Sequence, residues 1–167
     1  MANSLNRFYW DACAAWIAFV QKEKVELPSG QVEDRESMCR SVLIAAKAGK
    51  VEIATSTLSL VEVCKDPALA SEAASRFHEF LELEYVLLAT LDRIIGEKAR
   101  ELMQGGYSGL KPPDAIHIAT AIVANAHEMH TFDRKLLDLD GSPAKADGSK
   151  LKICKPDSGS PLPLFER

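Results

Sequence analysis

Residues 112–133, PPDAIHIATAIVANAHEMHTFD, carry the strongest fold signal in the chain. The run from Asp114 to about Ala126 is apolar on nearly every side, which predicts a helix buried between other elements. Glu128 to Thr131 then predicts a short strand, and a short helix is predicted after Asp133. A buried helix followed directly by a strand is typical of a sheet that is covered by helices.

The same alternation of strands and helices extends outward from this segment. Further strands are predicted at residues 8–10, 51–54, 85–88 and 151–154. Apolar residues three and four positions apart predict helices at 16–20, 39–46, 58–62, 70–81 and 91–102, and loops are predicted at 24–34, 104–113 and 141–150. The alternation indicates an α/β fold, a three-layer α/β/α sandwich around a central, mostly parallel sheet.

The composition indicates one globular domain. The chain has 167 residues, of which 47% are hydrophobic and 26% charged, and a domain of this size buries enough apolar surface to fold without disulfides or a structural metal. We expect residues 1–155 to form this domain and residues 156–167 to form an extended tail. No stretch of about 18 residues is free of charge and no signal-peptide pattern occurs, so we expect a cytoplasmic protein without a membrane span.

The cysteines do not show the spacing of a metal site. Cys13, Cys39, Cys64 and Cys154 form no Cys-x-x-Cys pair and no Cys/His pair at zinc-binding distance. Each lies among apolar neighbours, which predicts buried free thiols in a reducing compartment rather than disulfides.

Four acidic residues close predicted strands or lie near the start of the helices that follow. Asp11 closes the first strand, Glu62 lies in the helix after residues 51–54, and Asp114 and Asp133 begin later helices. Because ligands of parallel α/β sheets bind beyond the carboxyl ends of the strands, we expect these carboxylates to converge on an oxygen-rich site for Mg²⁺ or Mn²⁺. Such a cation activates water and stabilises the charge that develops during phosphodiester cleavage.

Each acid also has a structural interpretation. Asp11, Asp114 and Asp133 are of the type that caps helix N-termini, and Glu62 completes a Ser-x-x-Glu capping box with Ser59. For any one acid alone, capping is the better interpretation, whereas the convergence of all four favours metal binding. The net charge of −4 is only a weak argument against nucleic-acid binding and does not decide the function, because a bound divalent cation can reverse the local sign of an acidic cleft.

Four short segments place these acids beside apolar runs: FYWD (8–11), LVEV (60–63), KPPDAIHIATA (111–121) and HTFD (130–133). In order and spacing, from residue 8 to about 154, they resemble the PIN domain, the fold of VapC-type toxins. The resemblance implies a metal-dependent endoribonuclease, the toxin of a type II toxin–antitoxin pair, in which the four acids are catalytic and bind Mg²⁺, with Mn²⁺ as a substitute. It also implies an RNA substrate, an antitoxin protein partner, a homodimer, and an orienting role for Thr131.

One position departs from the family pattern. Many members have Thr or Ser after the first aspartate, whereas Ala12 and Cys13 follow Asp11 here. The missing hydroxyl leaves a second hypothesis open, a catalytically silent PIN-like module that binds RNA or a partner protein. The complete set of four carboxylates favours the enzyme. No P-loop or dinucleotide-binding glycine motif occurs, which excludes two other classes of phosphate-binding site.

Three basic residues adjoin these acids and are candidates for RNA phosphate contact: Lys111, Arg134 and Lys135. The alternative for each is an ordinary solvated charge. His117, one helical turn beyond Asp114, either contacts an active-site carboxylate or RNA phosphate, or is a satisfied core group. The remaining histidines near this region, His127 and His130, are predicted to be structural.

Overall fold

The structure is a computed structural model that describes residues 5–14, 24–63 and 71–159. A five-stranded sheet has the order β5-β4-β1-β6-β7, and every neighbouring pair in it is parallel. Its strands are β1 (Asn6–Trp10), β4 (Val51–Ser56), β5 (Val86–Ala89), β6 (Glu128–His130) and β7 (Lys152–Cys154). Because all five strands point the same way, their carboxyl ends meet at one edge of the sheet.

Six helices of the described residues pack around this sheet. They are α1 (Arg35–Lys47), α2 (Leu58–Val63), α3 (Ser71–Leu81), α4 (Arg93–Gln104), α5 (Pro112–Val123) and α6 (Arg134–Leu137). Residues 12–14 are also helical, directly after Asp11. The predicted helix at 16–20, Cys64 and the part of the predicted tail beyond residue 159 lie outside the described residues.

The two faces of the sheet carry two separate apolar cores. Successive strand side chains point to opposite faces, so Phe8 and Trp10 pack with α1 and α3, while Tyr9 and Met129 pack with α4 and α5. Helix α5 is buried along most of its length, as its apolar sequence predicts. The observed layers confirm the predicted α/β/α sandwich with a parallel central sheet.

The segment 24–34 differs from its prediction as a loop. It forms an antiparallel hairpin of β2 (Lys24–Glu26) and β3 (Val32–Asp34). The Leu27 amide donates to the Gln31 carbonyl at 2.8 Å, and Gly30 adopts φ 79° in the turn, a conformation that glycine reaches without strain. The turn residues were therefore recognised correctly, but strands of three residues are too short to show an alternating pattern.

Smaller differences concern element ends and thiols. Helix α5 begins at Pro112 rather than Asp114, because the first helical amides need no partner and proline fits there. The prediction that all cysteines are buried is wrong for Cys13, which is exposed because it follows Asp11 at the open edge of the sheet. Cys39 is buried and Cys154 is half-buried. None of these three cysteines forms a disulfide. No helix among the described residues is long and apolar enough to cross a membrane.

Candidate active site

The four acids predicted from the sequence lie in one cleft at the carboxyl edge of the sheet. Asp11, Glu62, Asp114 and Asp133 all line it, and its volume is about 440 Å³. Each acid comes from a different part of the chain: the end of β1, the helix α2, the start of α5 and the residue before α6. The remaining lining residues are Ala12, Cys13, Val63, His117, Phe132 and Leu136.

Asp11 is the most deeply placed of the four, with 4% of its surface exposed. Its Oδ1 accepts a hydrogen bond from the Ala14 amide at 2.8 Å, so the residue caps the helical turn that follows β1. Its Oδ2 accepts from the Thr131 hydroxyl at 2.5 Å. Asp11 therefore caps a helical turn and also lines the cleft. Each of its carboxylate oxygens accepts one hydrogen bond and has a second lone pair that can bind a cation.

Thr131 connects two of the acids. Its Oγ1 donates to Asp11 and accepts from the Asp133 amide at 3.0 Å, and the residue is completely buried. A single hydroxyl therefore sets the distance between the end of β1 and the start of α6. This is the position in which the resemblance implies an orienting role for Thr131.

Asp114 and Asp133 lie nearer to solvent. Asp133 is exposed and caps α6, since its Oδ1 accepts from the amides of Lys135 at 2.8 Å and Leu136 at 3.4 Å. Asp114 is half-buried in the first turn of α5, and its Oδ2 accepts from the Lys111 amide at 3.3 Å. Among the described residues, only these backbone amides bond to the two side chains, which leaves carboxylate oxygens facing the cleft.

Glu62 does not form the capping box that its spacing from Ser59 suggests. The Ser59 hydroxyl is buried against Thr55 at 2.9 Å, and Glu62 instead pairs with His117, whose Nε2 lies 2.6 Å from Glu62 Oε2. The other ring nitrogen, Nδ1, lies 2.7 Å from the Tyr9 hydroxyl. The structure thus makes His117 both a buried core residue and a contact of a cleft carboxylate.

The electrostatics of the cleft favour a bound cation. Burial raises the pKa of Asp11 above 3.8, with a smaller rise from the charge of Glu62, while His117 and the hydrogen bonds from Thr131 and Ala14 lower it. Burial, followed by the charge of Asp11, raises the pKa of Tyr9 well above 10.0. No lysine or arginine within 5–14, 24–63 or 71–159 forms an ion pair with any of the four acids.

The donor set of the cleft fits Mg²⁺ or Mn²⁺. Both are hard cations that prefer carboxylate oxygens, and Mg²⁺ is commonly bound by one or two carboxylates together with waters and substrate phosphates. Because no three of these described carboxylates bring their oxygens within 4.8 Å of one another, a cation in this open cleft would be held by one or two of them together with water and phosphate. No described lysine or arginine forms an ion pair with these carboxylates, so a divalent cation is the species that they fit.

Among the described residues, the group whose metal-binding atoms all lie within 4.8 Å of one another is not in the cleft: it is formed by Glu128, His130 and Cys154. The Trp10 indole N–H, which can only donate, lies 3.1 Å from His130 Nδ1, so the ring proton is on Nε2 and faces Glu128 Oε2 at 3.1 Å. A cation on Nε2 would leave the ring without a proton on either nitrogen. Hydrogen bonding from His130 lowers the pKa of Glu128 to about 2, and burial raises the pKa of Cys154 to about 12. This group is therefore a satisfied structural network, which agrees with the prediction for His130.

The three basic candidates for RNA contact lie beside the cleft rather than inside it. Lys111, Arg134 and Lys135 are all exposed, and none of them lines the cleft. Lys111 precedes α5 by one residue, and Arg134 and Lys135 directly follow Asp133. The glycines of the 104–113 loop do not line the cleft either.

Comparison with known proteins agrees with this geometry. The PIN domain family profile matches residues 33–142, more than half of the chain, and the chain belongs to this family. The structure is similar to that of the toxin VapC20 from Mycobacterium tuberculosis, described as cleaving the sarcin-ricin loop, with a TM-score of 0.55 and 17% identity over 76% of this chain and 90% of VapC20. No curated protein matches the sequence significantly.

A second similar structure is VapBC2 from Rickettsia felis, which was solved bound to a DNA fragment from the promoter of VapBC2. Its TM-score is 0.56, with 17% identity over 88% of this chain and 98% of that chain. At 17% identity these similarities establish the fold. The chemistry must be argued from the residues of the cleft. Both comparisons confirm the PIN fold predicted from the four segments.

Tyr9 is the cleft-associated residue that the sequence did not predict. It is fully buried in β1, two residues before Asp11. A buried aromatic residue is common in a strand, so its sequence position did not indicate a role in the cleft. The available signal was His117, which lies inside the largely apolar run 115–123. A buried histidine needs a polar partner. The partner itself lies 108 residues away in the sequence.

Proposed function

We propose that this PIN domain is a divalent-metal-dependent endoribonuclease that hydrolyses RNA phosphodiester bonds. Asp11, Glu62, Asp114 and Asp133 hold the cation and carry the chemistry, and the cofactor is Mg²⁺ or Mn²⁺. The observation that supports this best is the convergence of four carboxylates from four elements on one open cleft, without a described lysine or arginine to neutralise them. The complete acid set favours this enzyme over a silent RNA- or protein-binding module.

The protein residues contribute position and environment. Thr131 holds Asp11 and the start of α6 in fixed relation, and His117 holds Glu62. Val63, Phe132 and Leu136 supply apolar parts of the cleft lining. A bound divalent cation supplies an activated water and offsets the charge of the scissile phosphate as it increases.

Metal-dependent cleavage of RNA tests the proposal directly. Purified protein is incubated with a mixed-sequence single-stranded RNA in Mg²⁺, Mn²⁺ or excess EDTA, and the products are separated by length. We expect internal cleavage with either cation and none in EDTA, and slower cleavage of a rigid duplex, because a single strand can be splayed to bring a phosphodiester into the cleft. Full activity in excess EDTA would contradict the proposal.

The more specific role that we propose is that of a VapC-type toxin, with an antitoxin protein as partner and a homodimeric, cytoplasmic form. Support comes from the PIN family membership and from the likeness to VapC20 and VapBC2. Expression of this chain alone, and together with the product of a small neighbouring open reading frame, tests it. We expect growth arrest in the first case and rescue with a stable complex in the second.

Exposed basic residues beside the cleft are expected to bind the RNA backbone. Replacing Lys111, Arg134 and Lys135 by glutamate in the Asp11→Asn protein, in which we expect cleavage to be slow, should weaken RNA binding at low salt. It should also reduce the slope of log affinity against log salt by about 1 for each phosphate that the protein no longer neutralises. The measurement is fluorescence anisotropy of a labelled single-stranded RNA at several salt concentrations.

The control reverses two other charges, Lys47 and Lys50, which are exposed at the end of α1 and just before β4, and the change of salt slope is compared per reversed charge. Lys50 therefore lies at the edge of the sheet opposite the cleft, and its reversal changes net charge without altering the cleft. An equal change of salt slope in the control would show that the three cleft-side residues act only through total charge.

A further inference from the structure

A hydrogen-bonded chain of three side chains runs from the core of the sheet into the cleft. The Tyr9 hydroxyl lies 2.7 Å from His117 Nδ1, and His117 Nε2 lies 2.6 Å from Glu62 Oε2. Tyr9 is 0% exposed and His117 3% exposed, so water does not compete for these bonds. His117 and Glu62 both line the cleft, and the Glu62 side chain is 25% exposed.

The chemistry of the three groups limits the direction of both hydrogen bonds. An ionised carboxylate can only accept, so the proton between His117 and Glu62 is on Nε2. In a neutral ring Nδ1 is then an acceptor and the Tyr9 phenol donates to it, whereas in a doubly protonated ring Nδ1 donates to the phenol oxygen. Each donor and acceptor on the path from Tyr9 to Glu62 is therefore matched.

We propose that His117, oriented by Tyr9, is the positioning residue for the Glu62 carboxylate. His117 holds Oε2 from the protein side, and no residue of the described chain bonds to Oε1, which stays available to a cation. This role rests on the proposed function, since it assigns the orientation of one of the proposed metal-binding acids. The hydrogen bond to a ligating carboxylate is the kind of outer contact that tunes metal affinity.

The local structure explains why Glu62 needs such support. Helix α2 has only six residues, and a glutamate has three side-chain torsions that are free unless a partner holds them. Asp11, by contrast, is held by Ala14 and Thr131. The chain Tyr9–His117–Glu62 also joins β1, α5 and α2, the elements that carry Asp11, Asp114 and Glu62.

The molecule contains a matched control for this histidine. Like His117, His130 is buried and its ring bonds to an aromatic side chain, Trp10, on one side and to a glutamate, Glu128, on the other. It does not line the cleft. Loss of His130 should therefore reproduce the packing cost of losing His117 without changing the cleft carboxylates.

The first measurement is the position of the ring proton in the metal-free protein, by long-range ¹H–¹⁵N NMR of the histidine rings. We expect His117 to carry its proton on Nε2, with signals that shift in Tyr9→Phe, which removes only the phenol oxygen. A proton on Nδ1 with a bare Nε2 would overturn the proposal, because His117 could not then donate to Glu62.

The second measurement is Mn²⁺ affinity, followed by the electron paramagnetic resonance signal of free Mn²⁺, in variants that circular dichroism shows to be folded. We expect His117→Leu to bind Mn²⁺ about 10-fold more weakly, Tyr9→Phe to show a smaller loss, and His117→Gln, which keeps an N–H donor, to recover part of it. His130→Leu should bind Mn²⁺ like the parent.

The outcomes separate this inference from the function on which it rests. A parent protein that binds no Mn²⁺ would overturn the proposed metal site and this role with it. A parent that binds Mn²⁺, with unchanged affinity in His117→Gln, Tyr9→Phe and folded His117→Leu, would overturn the positioning role alone. An equal loss in His117→Leu and His130→Leu would also overturn it, since the effect would then be one of packing.

Discussion

Asp11→Asn is expected to reduce metal-dependent RNA cleavage by about 100-fold or more, a change of about 2.7 kcal/mol in the activation free energy. Asp11 is the most buried of the four cleft acids, and an amide offers a cation a neutral, weaker oxygen ligand. The measurement is the initial rate of cleavage of a labelled single-stranded RNA in saturating Mg²⁺, for parent and variant at equal concentration.

The matched control is Asp92→Asn. Asp92 caps α4, where its Oδ1 accepts from the Ile95 amide at 3.0 Å, and it does not line the cleft. Asparagine caps a helix about as well as aspartate, so this variant should cleave RNA like the parent. Asp133→Asn should lie between the two, because Asp133 is exposed and caps α6. A larger loss in Asp133→Asn than in Asp11→Asn would contradict the ranking.

Asp11→Asn, which should slow cleavage, is expected to stabilise the folded protein when metal is removed. In EDTA near neutral pH, Asp11→Asn should raise the free energy of unfolding by about 0.5–2 kcal/mol, a gain typical of relaxing a strained functional site. The parent must keep a buried carboxylate ionised, whereas asparagine can accept from the Ala14 amide and donate to Thr131 Oγ1. Thermal or urea unfolding in EDTA measures the difference.

The pH dependence follows from the direction of the Asp11 shift. Burial raises its pKa in the folded protein above the ordinary 3.8, so between these two values the native state binds more protons than the unfolded chain. The stability that Asp11 contributes therefore falls as pH rises through this window. The advantage of Asp11→Asn should be fully present above the raised pKa and disappear as pH falls below 3.8.

Added Mg²⁺ should reverse the order of the two proteins. A ligand that binds only the native state at 100 times its dissociation constant stabilises it by about 2.7 kcal/mol, and the parent should gain this more fully than Asp11→Asn. If the variant instead unfolds more easily in EDTA, and the parent does not respond to Mg²⁺, then Asp11 acts only as a helix cap, where loss of the charge weakens a favourable dipole interaction.

Much of this site could be predicted from residue order. Asp11 and Asp133 each follow a short predicted strand, and parallel strands bring their carboxyl ends to the same edge of a sheet. The buried helix after Pro112 was visible because its apolar residues continue around every side. Local patterns of this kind depend on neighbours within about one helical turn or strand, so they are readable without the fold.

The interactions that orient the carboxylates could not be read in the same way. Ser59 and Glu62 have the spacing of a capping box, yet Glu62 pairs with His117, 55 residues away. Thr131 donates to Asp11 across 120 residues. A side chain can have several possible hydrogen-bond partners, and packing of the whole core decides which of them lies close enough. Sequence spacing does not report the distance between two elements that are far apart in the chain.

Residue order was thus sufficient to place four acids at one edge of a parallel sheet, because strand direction and helix periodicity are local properties of the chain. Packing of β1, α2 and α5 around the two apolar cores was needed to bring Tyr9, His117 and Glu62 into one hydrogen-bonded chain. The reason is that a buried polar group must find its partner among the side chains that packing delivers, wherever they lie in the sequence.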